Sequence, residues 1–317
     1  MDLLIVEPLE AEVMNWLAAR HQVRCLPELA LDPRAFRQTL YNVHAVIVPP
    51  SVPVDAQTLH AAPMLRAIGR VGAGLENVDI EACARARVEL VRRPEASAQA
   101  EAEFMIGALL TMLRRVPVLN ADGVRAGREL GAATLGLIGM QPSARRLAQM
   151  VGGFGTQLIG YDPSVHASDP RWRRWGVTPM SMRDVLQYAD AVCVQLNYYS
   201  RYHGLLGDRF LSHCKPDQVI VSISHSGLFD HGALAAALRS GRIAAAWLDS
   251  LEPGALDEGR PLAGISTLQV TPRLASTTRE SRLRTAWAVA RRIDELLIGA
   301  DVPQPFRPSG PGAVPEL

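Results

Sequence analysis

Short apolar runs alternate with amphipathic stretches along nearly the whole chain, the pattern of parallel strands joined by covering helices. In the first third, residues 3–6, 23–25, 45–48, 66–71 and 88–91 read as strands. Amphipathic spacing places helices between them, around 10–20, 33–41, 55–61 and 79–86. A long helix is expected over 97–115, containing the longest apolar stretch, Phe104 to Leu113. That stretch, bounded by Glu103 and by Arg114 and Arg115, is too short to span a bilayer and reads as a buried helix.

A second alternation follows, with strands near 134–139, 157–161, 191–196, 218–223, 244–248 and 267–270, and a helix over about 278–298. The result is two doubly wound α/β units in series, without an internal sequence repeat. From Val302 the chain carries five prolines and two glycines in sixteen residues, a composition expected to be disordered.

Composition changes this picture little and narrows the chemistry. The chain has 317 residues, 48% hydrophobic and 21% charged, with a net charge of +1. That is enough chain for two cores, and it gives no electrostatic reason to expect nucleic acid or an anionic membrane as partner. The one dense basic run, Arg171-Trp172-Arg173-Arg174-Trp175, reads as a solvated loop. Cys25, Cys83, Cys193 and Cys214 show neither a CxxC pair nor metal-ligand spacing, so no metal site is expected and the thiols read as reduced. The acidic N-terminal stretch lacks the features of a secretion signal, so a cytoplasmic location is expected. Lys215, the only lysine, follows no glycine-rich turn and reads as solvent-facing, which excludes a Walker-type phosphate loop.

Residues 134–162 have the dinucleotide-binding layout: a strand, a turn, a helix, and a strand ending in an acid. The turn runs Gly139-Met140-Gln141-Pro142-Ser143-Ala144 in place of GxGxxG. Gln141 replaces the glycine that lets backbone approach a pyrophosphate. Pro142 removes one N–H, and Ser143 is expected to cap the helix or to offer a hydroxyl donor. Asp162, 23 positions after Gly139, is placed to accept from an adenosine ribose, favouring NAD over NADP. The bland alternative is an ordinary strand-to-helix turn.

Three further segments follow one another: VSISHSGLFD (221–230), LDSLEPGA (248–255) and VTPRLASTT (270–278). Together with the nucleotide motif they resemble the D-isomer-specific 2-hydroxyacid dehydrogenases. The resemblance implies an α/β fold of two doubly wound parallel-sheet domains, a Rossmann nucleotide domain inserted in a flavodoxin-like substrate domain. The expected bounds are 1–97 with 281–301 for the substrate domain, 98–280 for the nucleotide domain, and 302–317 for the tail. It also implies NAD as cofactor, a small anionic metabolite as substrate, and a homodimer.

The family reduces a 2-keto acid with an arginine on the carboxylate, a histidine moving the proton and a glutamate supporting the histidine. Those places here read His225, Arg273 and Gly254: histidine for arginine, arginine for histidine, and glycine for glutamate, with Glu252 two residues from the last. Asp249 matches the family aspartate near the nicotinamide, or equally a strand-end acid capping a loop. The backbone turn that holds the substrate carboxylate looks intact as Gly72-Ala73-Gly74.

The sharp reading has His225 and Arg273 exchanging jobs, with Glu252 steadying His225. The bland reading is a scaffold that binds a nucleotide or metabolite without hydride transfer, as in the family's corepressor branch. A third keeps His225 as a non-redox acid/base. Tyr198, Tyr199 and Tyr202 stand where the family has a proline-threonine turn, and read as hinge packing or as a pocket lining. His203 and His213 read as surface residues.

Overall fold

The apolar runs form strands whose ends are set by polar and glycine turns, seen in a computed structural model that describes residues 2–299 except 73, 76, 117 and 120–122. Ala73 and the expected disordered tail therefore lie outside the described residues. In chain order the first unit supplies β1 (Asp2–Ile5), α1 (Ala11–Ala18), β2 (Gln22–Cys25), α2 (Pro33–Thr39), β3 (Ala45–Ile47), α3 (Ala56–His60), β4 (Ala67–Gly69), α4 (Ile80–Arg85) and β5 (Glu89–Val91). The long helix α5 (Pro94–Arg115) starts earlier than its apolar pattern indicates, because a proline is well placed in a first helical turn.

After α5 come the strand pair β6 (Val118–Leu119) and β7 (Arg125–Ala126), then β8 (Thr134–Ile138), α6 (Pro142–Val151), β9 (Gln157–Tyr161), α7 (Arg171–Trp175) and β10 (Thr178–Pro179). The chain continues through α8 (Met182–Tyr188), β11 (Ala191–Val194), α9 (Asp208–Leu211), β12 (Val219–Ser222), α10 (His231–Arg239), β13 (Ala245–Leu248), β14 (Leu268–Val270) and α11 (Arg279–Ile298).

Residues 2–97 and 276–299 make one unit. Its parallel sheet has the order β2-β1-β3-β4-β5. Side chains alternate across β1: Leu4 packs with Phe36, Leu40 and Ile68, whereas Leu3 and Ile5 pack with Leu17, Val289 and Ile293. The sheet is thus covered on both faces, which is why its strands read as continuous apolar runs. Gly69 lets α11 lie directly on the sheet, since a Cβ there would sit 2.9 Å from Ile293 and Val289.

Residues 98–275 make the other unit. Its seven parallel strands run β10-β9-β8-β11-β12-β13-β14. Leu135 and Leu137 of β8 face Leu109 of α5 and Leu147 of α6, while Val192 and Val194 of β11 face Val185 of α8 and Leu234 of α10. The order reverses between β8 and β11, and open α/β sheets bind ligands beyond the strand ends at such a switch.

Two expectations are corrected. The run Arg171–Trp175 is a helical turn rather than a solvated loop, because Trp172 is buried and its indole N–H donates to the His166 carbonyl at 3.0 Å. Lys215 is not simply solvent-facing: its Nζ lies 2.8 Å from the Asp190 carboxylate, which also accepts from the Thr134 N–H. Among the described residues no helix is long and apolar enough to cross a membrane.

Candidate functional site

All strands of the seven-stranded sheet are parallel, so the residues that follow them share one edge. Across that edge the order is Asp162 after β9, Gly139 after β8, Tyr198 beyond β11, His225 beyond β12, Asp249 after β13 and Arg273 beyond β14. Topology alone thus aligns three of the expected cofactor positions with the two catalytic ones in the swapped places, with Tyr198 among them.

Gly139 has φ +93°, and a Cβ on it would lie 2.6 Å from the Gln195 carbonyl oxygen. No other residue fits this turn. Gln141, at the N-cap of α6, has φ −63°, so its side chain causes no backbone strain. Ser143 does not cap the helix, contrary to expectation: Pro142 takes the first helical position, which moves Ser143 inward, where it is buried. Its own N–H and that of Ala144 meet no acceptor among the described residues, the first helical bond being Arg145 N–H to the Gln141 carbonyl. Two open donors at the start of a ten-residue helix form an anion cradle.

The neighbouring strand end adds a residue that the sequence reading missed. Gln195 is 3% exposed, and among the described residues neither its amide nitrogen nor its oxygen has a partner. A buried unpaired amide costs stability unless something else satisfies it. The available signal was a glutamine ending the apolar run Ala-Val-Cys-Val. The open N–H groups and this orphaned amide together fit a dinucleotide.

Asp162 is buried, and its Oδ2 accepts from Met140 N–H at 2.6 Å, while Oδ1 accepts from the N–H and hydroxyl of Ser164. The carboxylate ties the glycine turn to β9 and keeps capacity for one more hydrogen bond at Oδ2.

His225 begins a short 3-10 turn. Its Nδ1 accepts from the Gly227 N–H at 3.0 Å, so the neutral ring carries its proton on Nε2. The ring stacks on Tyr198, with centroids 4.3 Å apart and planes at 24°. Glu252 does not steady this histidine. It is exposed, and its carboxylate has no partner among the described residues. The cause is the turn it occupies, closed by Ala255 N–H to the Glu252 carbonyl and by Asp257 N–H to the Gly254 carbonyl, with Gly254 at φ +76°.

Asp249 is buried and holds the loop that carries Arg273. Oδ1 accepts from the Thr271 hydroxyl at 2.6 Å and the Leu274 N–H at 2.8 Å, and Oδ2 accepts from the Ala275 N–H at 2.9 Å. Its main-chain carbonyl also accepts from the Arg273 N–H at 2.7 Å. Of the two sequence readings, the geometry matches the loop-capping acid. Burial pushes the Asp249 carboxyl above its ordinary value, against the pull of its hydrogen bonds and of Arg273. Arg273 itself is half-buried with φ +57°, a conformation rare for a side-chain-bearing residue and one that this loop imposes.

In the other unit Gly74 has φ +90°, in the left-handed region that favours glycine. In the same unit Arg70 is fully buried, donates to the Val48 carbonyl and lies 3.7 Å from the Glu7 carboxylate. Among the described residues no three His, Cys, Asp or Glu side chains gather as metal ligands.

Residues 109–275 match the family described as D-isomer specific 2-hydroxyacid dehydrogenase, NAD binding domain. A D-3-phosphoglycerate dehydrogenase of Mycobacterium bovis is 32% identical over 84% of this chain and 51% of its own length. The chain therefore spans about half the length of that relative. An (S)-sulfolactate dehydrogenase of Chromohalobacter salexigens is 31% identical over 81% of this chain and 85% of its own. Among solved structures, an acyclic imino acid reductase in complex with NADPH and D-Arg shares the fold with TM-score 0.81 at 19% identity, over 95% of this chain and 99% of that one. A D-lactate dehydrogenase of Aquifex aeolicus complexed with NAD and lactic acid does so with TM-score 0.76 at 18% identity, over 94% and 96%.

Proposed function

Because the chain belongs to the D-isomer specific 2-hydroxyacid dehydrogenase family, we propose that it is an NAD-linked oxidoreductase acting on a small carboxylate, with a rearranged catalytic set. The observation that carries this reading is the His225 ring, held by Gly227 so that Nε2 bears a proton. When bound, the nicotinamide cofactor supplies or takes the hydride at C2 of the substrate. The N–H groups of Ser143 and Ala144 would hold the pyrophosphate, and the Gln195 amide and the remaining site on Asp162 would complete the polar lining.

His225 then donates a hydrogen bond from Nε2 toward the C2 oxygen and polarises it while the ring stays neutral, and the alkoxide left by hydride transfer takes its proton from solvent water, an arrangement suited to reduction of a carbonyl. A ring already protonated at Nε2 is poorly placed to take a proton from a hydroxyl. Arg273 pairs with the substrate carboxylate, where a guanidinium can bind in bidentate fashion.

A second reading, a nucleotide- or metabolite-binding protein without turnover, has its own support. Gly254 is held in a left-handed turn, so no carboxylate stands at that place, and Gln141 and Pro142 weaken the phosphate turn.

Titration of the purified protein with NADH by fluorescence, followed by a panel of 2-oxo acids, tests both. We expect binding and turnover, with His225→Ala lowering kcat by about 10²-fold or more and Arg273→Ala mainly raising KM. Binding without turnover across the panel selects the second reading, and no binding at millimolar NADH removes the first.

A further inference from the structure

The geometry assigns to Tyr198 a positioning role: it fixes the His225 ring so that Nε2–H is the group presented at the sheet edge. This rests on the dehydrogenase reading above for its catalytic meaning, but not for its physical content.

Among the described residues, three features act on the imidazole together. Tyr198 covers one face in a near-parallel stack, 4.3 Å between centroids. Gly227 closes the ring from the side, because a Cβ on it would lie 3.0 Å from Nδ1 of His225 and 3.1 Å from Cε2 of Tyr198. Its N–H donates to Nδ1 at 3.0 Å. The stack restricts rotation of the ring plane, and the hydrogen bond selects which nitrogen keeps the proton.

The two segments are also joined by backbone, independently of the aromatic pair. Gly204 N–H donates to the Gly227 carbonyl at 2.8 Å, Leu206 N–H to the Leu228 carbonyl at 2.8 Å, and Asp230 N–H to the Leu206 carbonyl at 3.3 Å. Leu206, Leu228 and Phe229 are buried under this zipper. Removing the phenol therefore leaves the loops in register and changes the ring alone. The Tyr198 hydroxyl faces Nδ1 of exposed His203 at 3.3 Å, a separate contact that a phenylalanine deletes without disturbing the stack.

The test uses the full chain. Long-range ¹⁵N–¹H spectra of the histidine rings, recorded without ligand, are expected to show His225 as the Nε2–H tautomer with its ring protons moved upfield by the phenol. Tyr198→Phe should preserve both signatures. Tyr198→Leu and Tyr198→Met should lose the upfield shift and give averaged tautomers, and either variant suffices if the other does not fold. With a reducible 2-oxo acid, the non-aromatic variants should lower kcat by about tenfold or more with little change in KM, and Tyr198→Phe should restore it.

Unchanged His225 signals in Tyr198→Leu or Tyr198→Met overturn the assignment. So does an equal loss in Tyr198→Phe, which would transfer the role to the His203 contact. If the wild-type protein reduces no substrate, the dehydrogenase reading fails while the spectra still decide whether Tyr198 sets the ring.

Discussion

Gly254 shows how one residue closes off the ancestral arrangement. Its φ of +76° and the Asp257 carboxylate 3.0 Å from a would-be Cβ leave no unstrained place for a glutamate. Gly254→Glu is therefore expected to cost about 1–2 kcal/mol of stability through backbone strain, with no gain in turnover. Urea unfolding and a kcat measurement check the two halves, and a stable, faster enzyme would refute the argument. Asp249 makes the second residue-scale prediction. Its carboxyl is raised in the folded protein and titrates near the ordinary 3.8 when unfolded. Between those values the folded state holds the extra proton, so stability falls as pH rises through that window. Stability attributable to Asp249 is full below the unfolded value and lost above the folded one. Asp249→Asn should remove that part of the slope, read as urea midpoints from about pH 3 upward relative to wild type. A parallel pH profile in the variant would show that Asp249 is not the group responsible.

At the scale of elements, what was legible in the sequence is what repeats. The parallel strands announced themselves because each is buried on two faces; the positions beyond β8 and β9 followed from the dinucleotide-binding layout, and those beyond β12, β13 and β14 from the resemblance of their segments to the dehydrogenase family. Elements too short to show a period were not legible. α7 spans five residues and buries one, Trp172, so its arginines dominated the reading. The cap of α6 was misplaced by two positions, because Pro142 rather than Ser143 sets where the helix begins. The His225 ring geometry was also out of reach, since it depends on Tyr198, from a different strand's loop, arriving at the same edge. The α6 turn carries a prediction of its own. Gln141 needs no glycine backbone, so Gln141→Gly should leave the fold intact and only clear the approach to the Ser143 and Ala144 N–H groups. One recovered charge-assisted hydrogen bond, about 1.5 kcal/mol, corresponds to NADH binding roughly tenfold tighter in a fluorescence titration. Weaker binding would mean that the Gln141 side chain is itself a ligand.

Over the whole molecule, each unit has its own buried interior. Leu4, Phe36 and Ile68 with Leu3, Val289 and Ile293 serve residues 2–97 and 276–299, while Leu135, Leu147, Val192 and Leu234 serve residues 98–275. Every residue assigned to the pyrophosphate turn, from Gly139 to Ala144 with Asp162 and Gln195, belongs to the second set. A ligand stabilises only the cooperative unit whose native state binds it, by about 2.7 kcal/mol at a hundredfold excess over Kd. Hydrogen exchange of the full chain can therefore separate the two units. NADH should slow the most protected amides of β8 and β11 by the factor that this free energy implies, about a hundredfold, while those of β1 and β3 change far less. Equal slowing in both sheets would show that the chain unfolds as one cooperative body. Slowing confined to β1 and β3 would place the cofactor away from Gly139 and overturn the assignment of the turn.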